Sequence, residues 1–217
     1  MQARPLRHVD LFSTAGRLEG LYRELQDPEA VAVICHPLPT GGGTMHNKVV
    51  FRAARGLESA NVATLRFNFR GVGTSAGHFE GGTGEMADVS SAIAWAIKMH
   101  PGKKLIVGGF SFGSWVASRV ACELPAVDAI FLIGAPVNKF AFDYLGDCDK
   151  PILLLHGTQD EHGDVAKVEK LSATIRNGEA VIITGADHFF TRQIEAVEET
   201  LRAWSSELVA TWAAATK

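Results

Sequence analysis

The stretch from Lys103 to Trp115, Lys-Lys-Leu-Ile-Val-Gly-Gly-Phe-Ser-Phe-Gly-Ser-Trp, leaves the backbone around it few options. An apolar run ends in two glycines, a serine follows at one remove, and then a helical pattern begins. This reads as a strand that reverses directly into a helix, with Ser111 at the apex. In so tight a reversal the residues two before and two after the apex come close together. Gly109 and Gly113 stand at those positions and bring no Cβ to collide. A residue other than glycine at the apex is driven toward an unfavourable backbone angle, a strain that persists where function requires it. The pattern G-x-S-x-G, in this strand-to-helix setting, presents a serine as an exposed nucleophile.

The rest of the chain alternates strand and helix around that turn. His8–Phe12 and Arg17–Leu25 flank Ser13-Thr14-Ala15-Gly16 as a hairpin. Ala30–Cys35 and Val62–Phe67 are continuous apolar runs of the kind buried on both faces of a sheet. Val127–Ile133, Ile152–Leu155 and Ala180–Ile183 follow the same rule. Helical spacing is read over Asn47–Ser59, Glu85–Met99 (with Met86, Val89, Ile93 and Ile97 inward), the segment after Ser111 to about Glu123, Val165–Ile175, and a last helix from about Thr191. The glycine- and proline-rich His36–Gly43 is read as neither helix nor strand. The alternation predicts an α/β fold, a mostly parallel sheet with helices on both faces, spanning residues 1–217 as a single domain.

Composition excludes several classes of function. With 217 residues, 47% apolar and 21% charged, the chain has enough material for one sizeable core. A net charge of −3 without any basic block points to no nucleic acid and no anionic membrane surface. Met1–His8 lacks the apolar core of a secretory leader, and no run is long enough to span a bilayer. Cys35, Cys122 and Cys148 are odd in number and widely spaced, so they suggest no disulfide framework and a reducing, cytoplasmic setting.

In open sheets of this kind ligands bind beyond the carboxyl ends of the strands, so the residues just after each strand carry the functional reading. There the chain offers Ser111, then Asp160, then His188. A serine hydroxyl needs an imidazole to take its proton, and the imidazole needs a carboxylate to fix its tautomer. Glu161 and Asp164 compete with Asp160 for the acid, and either could instead cap the next helix. Asp160, His162 and Asp164 lack the further ligands of a metal cluster, and no cofactor is expected. The oxyanion donors are expected to be the backbone N–H of Phe112 and that of Leu38, the first donor after Pro37. Gly41–Lys48 lacks the residues of a phosphate-binding loop. Gly71–Ala76 matches a relaxed dinucleotide pattern, but no helix opens inside it, so NAD is not expected.

Taken as a set, several stretches resemble the small lidless bacterial α/β-hydrolases grouped near the dienelactone hydrolases. They are His36-Pro37 with Asn47-Lys48-Val49-Val50; Arg66–Gly73 with Ser75 and Gly77; Gly82, Gly84-Glu85 and Asp88; Gly109–Gly113; His156-Gly157 with Asp160-Glu161; and Gly185–Phe190. The resemblance covers most of the chain and implies an α/β-hydrolase fold, a Ser111–His188–Asp160 triad and esterase-type activity. Two features depart from it. Dienelactone hydrolases proper use a cysteine nucleophile, and His162-Gly163-Asp164 is more polar than the apolar pair expected after the acid.

Only Gly134–Lys150 separates two successive strands where many hydrolases insert a cap, so the site is expected to be open and to favour small acyl esters or thioesters. Phe110 and Phe189 are expected to touch substrate, with Phe112, Phe140, Phe142 and Phe190 divided between pocket and core. Arg70 either steers an acidic group or anchors its own loop by a salt bridge. The alternatives to a serine esterase are a serine amidase or peptidase and a non-catalytic binding protein on the same fold. The expected partner is a small-molecule ester, with the chain a monomer or homodimer.

Overall fold

The computed structural model describes residues 6–215; the N-terminal Met1–Pro5, part of the segment read for a leader, lies outside them. Eight strands form one sheet in the order β1-β2-β4-β3-β5-β6-β7-β8. The first two, β1 (Leu6–Ser13) and β2 (Gly16–Arg23), make the expected hairpin, and β2 pairs antiparallel with β4 (Val62–Phe67). All other neighbours are parallel: β3 (Ala30–Cys35), β5 (Lys104–Phe110), β6 (Ala129–Ile133), β7 (Ile152–Gly157) and β8 (Gly178–Ile183).

The uninterrupted apolar runs are explained by the two cores. In β3, Val31, Val33 and Cys35 enter one core while Ala30, Ala32 and Ile34 enter the other. β7 divides in the same way, with Ile152 and Leu154 on one side and Leu153 and Leu155 on the other. Successive strand residues point to opposite faces, so a strand covered on both faces must be apolar at every position. One face is covered by α1 (Lys48–Ser59) and α5 (Ile194–Ala215) through Val49, Val50, Leu57, Val197, Leu201 and Trp204. The other is covered by α2 (Thr83–Met99), α3 (Phe112–Glu123) and α4 (Val165–Thr174) through Val89, Ile93, Val116 and Val168. Asn47 caps α1 rather than joining it, its side chain accepting the Val49 N–H.

Two expectations are corrected. Ile97 keeps the helical spacing but is 42% exposed, because the buried face at the end of α2 runs through Ala92, Ile93 and Ala96 and leaves Ile97 at its edge. Pro39–Gly41 forms a single 3-10 turn, started by a proline whose fixed φ suits a first helical position.

Strand register brings the functional loops together. Cys35 is opposite Gly109, Phe110 opposite Ile133, Ile133 opposite Leu155, and Gly157 opposite Ile183. The loops leaving β3, β5, β6, β7 and β8 therefore emerge side by side at one end of the sheet. Between β6 and β7 the chain forms only loop and a short 3-10 helix, Asp143–Asp147, so no cap covers that end.

Candidate active site

Ser111 sits at the turn between β5 and α3 with φ 54° and ψ −123°. This left-handed φ is costly for a residue with a Cβ. The turn is held by the Ser111 N–H donating to Ile133 O at 2.9 Å and by the Ser114 N–H donating to Ser111 O at 2.9 Å. The flanking glycines are needed for more than their mutual approach. A Cβ on Gly113 would lie 2.4 Å from His36 O and 2.6 Å from Cys35 O, and one on Gly109 would lie 2.7 Å from Cys35 O. The elbow is thus pressed against the end of β3, which sets the β3 loop beside the serine.

Asp160 follows β7 and His188 follows β8, and His188 meets both Asp160 and Ser111. His188 Nδ1 is 2.7 Å from Asp160 Oδ2, and His188 Nε2 is 2.9 Å from Ser111 Oγ. All three residues are buried. Burial pushes the Asp160 carboxyl up, but hydrogen bonding from His188, the attraction of that ring, and the His162 N–H outweigh it and hold the group below the usual aspartate value. An ionised carboxylate only accepts, so Nδ1 must carry the proton and Nε2 is left bare to accept from the Ser111 hydroxyl. The other two acid candidates lie elsewhere. Asp164 caps α4, accepting the Ala166 N–H at 2.9 Å, and Glu161 is exposed at 3.9 Å from its neighbour His162. With Asp160 turned to His188 and Asp164 to its helix, the three-residue metal cluster does not form.

A cavity of about 260 Å³ opens in front of Ser111, lined by Leu38, Gly42, Asn47, Phe112, Phe140 and Phe189 among others, with Lys139 and His162 at its polar edge. A second cavity, of about 470 Å³, shares Gly42, Asn47 and Phe189 with the first. The Leu38 carbonyl is taken up by Gly41 and Gly43, whereas no acceptor among the described residues takes the N–H of Leu38 or of Phe112. Phe189 is 51% exposed and forms a wall of both cavities. Phe110 does not reach either cavity. It is fully buried, with its ring 4.8 Å from that of His188, because its position in β5 faces the α1–α5 core. Phe142 and Phe190 are also core. Arg70 anchors its loop: it is buried and donates to both carboxylate oxygens of Asp88 and, through Nη1, to Glu80 at 2.6 Å. The loop from Gly71 is pinned to β2 through Thr74 and Ser75, and no helix begins before Thr83.

Sequence reasoning passed over two buried histidines. His36 donates from Nδ1 to Pro37 O at 2.7 Å and accepts the Phe69 N–H on Nε2 at 3.1 Å, tying the β3 loop to the β4 loop. The clue was a histidine at the inner end of a fully apolar strand. Burial lowers its pKa to about 4, opposed only in part by the Pro37 carbonyl. An ordinary histidine titrates near 6.5, so between those values the unfolded chain binds a proton that the folded chain refuses. Stability is therefore complete above about 6.5 and drains away as pH falls toward 4. The expected loss from this residue between pH 7 and pH 5 is about 2 kcal/mol. His100 and His162, both lowered chiefly by burial, act in the same direction. Urea unfolding at the two pH values measures this, and an equal or greater stability at pH 5 would contradict it.

Residues 29–215 match the family model described as alpha/beta hydrolase domain. An uncharacterised protein of Rickettsia prowazekii is 36% identical over 191 residues, covering 83% of this chain and 80% of that one. A crystal structure from Agrobacterium tumefaciens, described as a putative alpha/beta hydrolase of unknown function, superposes with a TM-score of 0.86 at 30% identity, covering 94% of this chain and 97% of the other. One from Xanthomonas campestris, described as a serine hydrolase without a lid, gives 0.82 at 32% identity over 94% and 95%.

Proposed function

The chain belongs to the alpha/beta hydrolase family, in its lidless form, and from that premise we propose that it is a serine hydrolase cleaving small carboxylic esters or thioesters through an acyl-enzyme on Ser111. One observation carries the reading: the unbroken hydrogen-bonded line from Ser111 Oγ through His188 to Asp160 at the floor of an open cavity.

In this reading the Ser111 oxygen attacks the ester carbonyl carbon as its proton passes to His188 Nε2. The carbonyl oxygen becomes an oxyanion held by the N–H groups of Leu38 and Phe112. Collapse of this adduct breaks the bond to the leaving alkoxide or thiolate, which takes the proton from Nε2. A water then attacks the acyl carbon, gives its proton to Nε2, and the proton returns to Ser111 as the acid departs. Asp160 stays ionised and steadies the imidazolium at both stages. No metal or cofactor enters these steps.

The chain is read as acting as a single domain and as a monomer or homodimer on a small-molecule substrate. No described helix is long and apolar enough to cross a membrane. A cytoplasmic setting is proposed on the cysteines, since Cys35, Cys122 and Cys148 are all free thiols. The substrate class is tested with a series of p-nitrophenyl esters. The small, uncapped cavity should give the highest kcat/KM from acetyl to hexanoyl and lower values toward lauroyl. A steady rise into the long chains would contradict the short-acyl reading.

A further inference from the structure

We propose that His156 is a positioning residue for the acid of the relay, acting on Asp160 through the Nε2–H of its imidazole. The proposal rests on the reading of Ser111, His188 and Asp160 given above. His156 is the next-to-last residue of β7, fully buried, four positions before Asp160. Its Nε2 lies 2.8 Å from Gly163 O. A carbonyl only accepts, so Nε2 carries the proton and Nδ1 is bare. That bare nitrogen is buried with no hydrogen-bond partner among the described residues.

A buried polar atom left unsatisfied costs stability and calls for an explanation. An apolar ring would fill the same space without the penalty. What the imidazole adds is the N–H, and its surroundings show where it acts. Nε2 bonds Gly163 O and also lies 3.7 Å from Asp160 Oδ2, the same oxygen that holds His188 Nδ1. The N–H is thus spent on Gly163 O while its nitrogen stays beside the carboxylate, so the ring fixes where the turn lies relative to the acid.

The bond also shapes the loop. Residues 160–163 fold back over the ring so closely that a Cβ on Gly163 would lie 2.5 Å from His156 Cε1 and 2.9 Å from Nε2. The same loop is held by the His162 N–H on Asp160 Oδ1 at 2.8 Å and by the Asn138 N–H on His162 O at 3.2 Å. His156 thus clamps the far end of a short turn whose near end is the acid. A displacement of about 1 Å in a catalytic group is enough to cost on the order of 100-fold in rate.

The test uses His156→Phe, which keeps a ring and loses the donor; His156→Gln, which replaces the donor; and Gly163→Ala, which cannot keep the contact. All are measured on p-nitrophenyl acetate, alone and in the Asp160→Asn background. His156→Phe and Gly163→Ala should lower kcat by about 10- to 100-fold with little change in KM, and His156→Gln should recover most of the loss. In the Asp160→Asn background the same changes should cost less than about threefold, because residues acting as a unit are not additive. The downfield imidazole proton resonance that the short His188–Asp160 bond should give in the wild type should be lost or shifted in His156→Phe and regained in His156→Gln. Full activity in His156→Phe, or an equal loss in both backgrounds, overturns the proposal. Should His156→Phe fail to fold, His156→Gln and Gly163→Ala carry the same comparison. If Asp160→Asn cripples the enzyme while the His156 variants do not, only this proposal fails. If the wild type hydrolyses no ester, the underlying reading fails with it.

Discussion

Ser111→Ala is expected to abolish turnover of p-nitrophenyl acetate, by about 10³-fold or more, while leaving the fold intact. The loss is large because, in the proposed mechanism, the donors at Leu38 and Phe112 would stabilise an oxyanion that no longer forms by attack of a protein oxygen. The fold should survive because the Ser111 hydroxyl bonds, among the described residues, to His188 Nε2 alone, and because alanine meets the same backbone demand at φ 54° as serine does. The wild type should take up a fluorophosphonate probe covalently at Ser111 and the variant should not. A folded variant keeping more than a tenth of the wild-type rate would sink the nucleophile assignment. Failure of the wild type to be labelled would favour a binding protein on the same scaffold.

Asp160→Asn should lower the rate by about 10²- to 10⁴-fold with the packing preserved. The amide oxygen can keep the His162 N–H, which then turns the NH2 toward His188 Nδ1. A donor facing Nδ1 forces the ring proton onto Nε2, and an N–H there cannot accept the proton of Ser111. Asp164→Asn should stay within a few-fold of wild type, because an asparagine caps a helix about as well as an aspartate. Glu161→Gln should do the same, since its carboxylate is exposed. The three variants are compared on one ester at pH 8, each checked by circular dichroism. A crippled Asp164→Asn beside a near-normal Asp160→Asn would move the acid to Asp164.

What the sequence made legible follows from the range of the forces involved. The elbow was readable because its constraint is local: two missing Cβ atoms and one serine within five residues. The strands on both sides of it were readable because burial on two faces demands apolar side chains at every position. In the sequence Asp160 stands as the partner of His188, but Glu161 and Asp164 remain its competitors. Asp160, Glu161 and Asp164 differ by the path of one short turn, and that path is held by His156 just before it, by the His162 N–H within it and by Asn138 from the loop after β6. The phenylalanines show the same limit. Phe110 and Phe189 look alike in the sequence, but one belongs to a strand position that faces a helix layer and the other to a loop over the site. His36 and His156 were passed over because a histidine at the end of a strand says nothing of its function until the groups at both nitrogens are known.

The order in which the relay enters the chain has a consequence during synthesis. Ser111 precedes His188 by 77 residues, and α5, which locks onto α1 through Arg52 with Glu195 and Glu198, comes later still. At about 5–20 residues per second, the ribosome needs about 4 to 15 s to travel from the serine to the histidine. Throughout that interval the nascent polypeptide carries a hydroxyl with nothing to take its proton. If Ser111 is the nucleophile proposed above, reactivity is thus withheld from any copy that has not yet reached His188, and arrives only when β8 and the loop after it dock at the edge of the sheet.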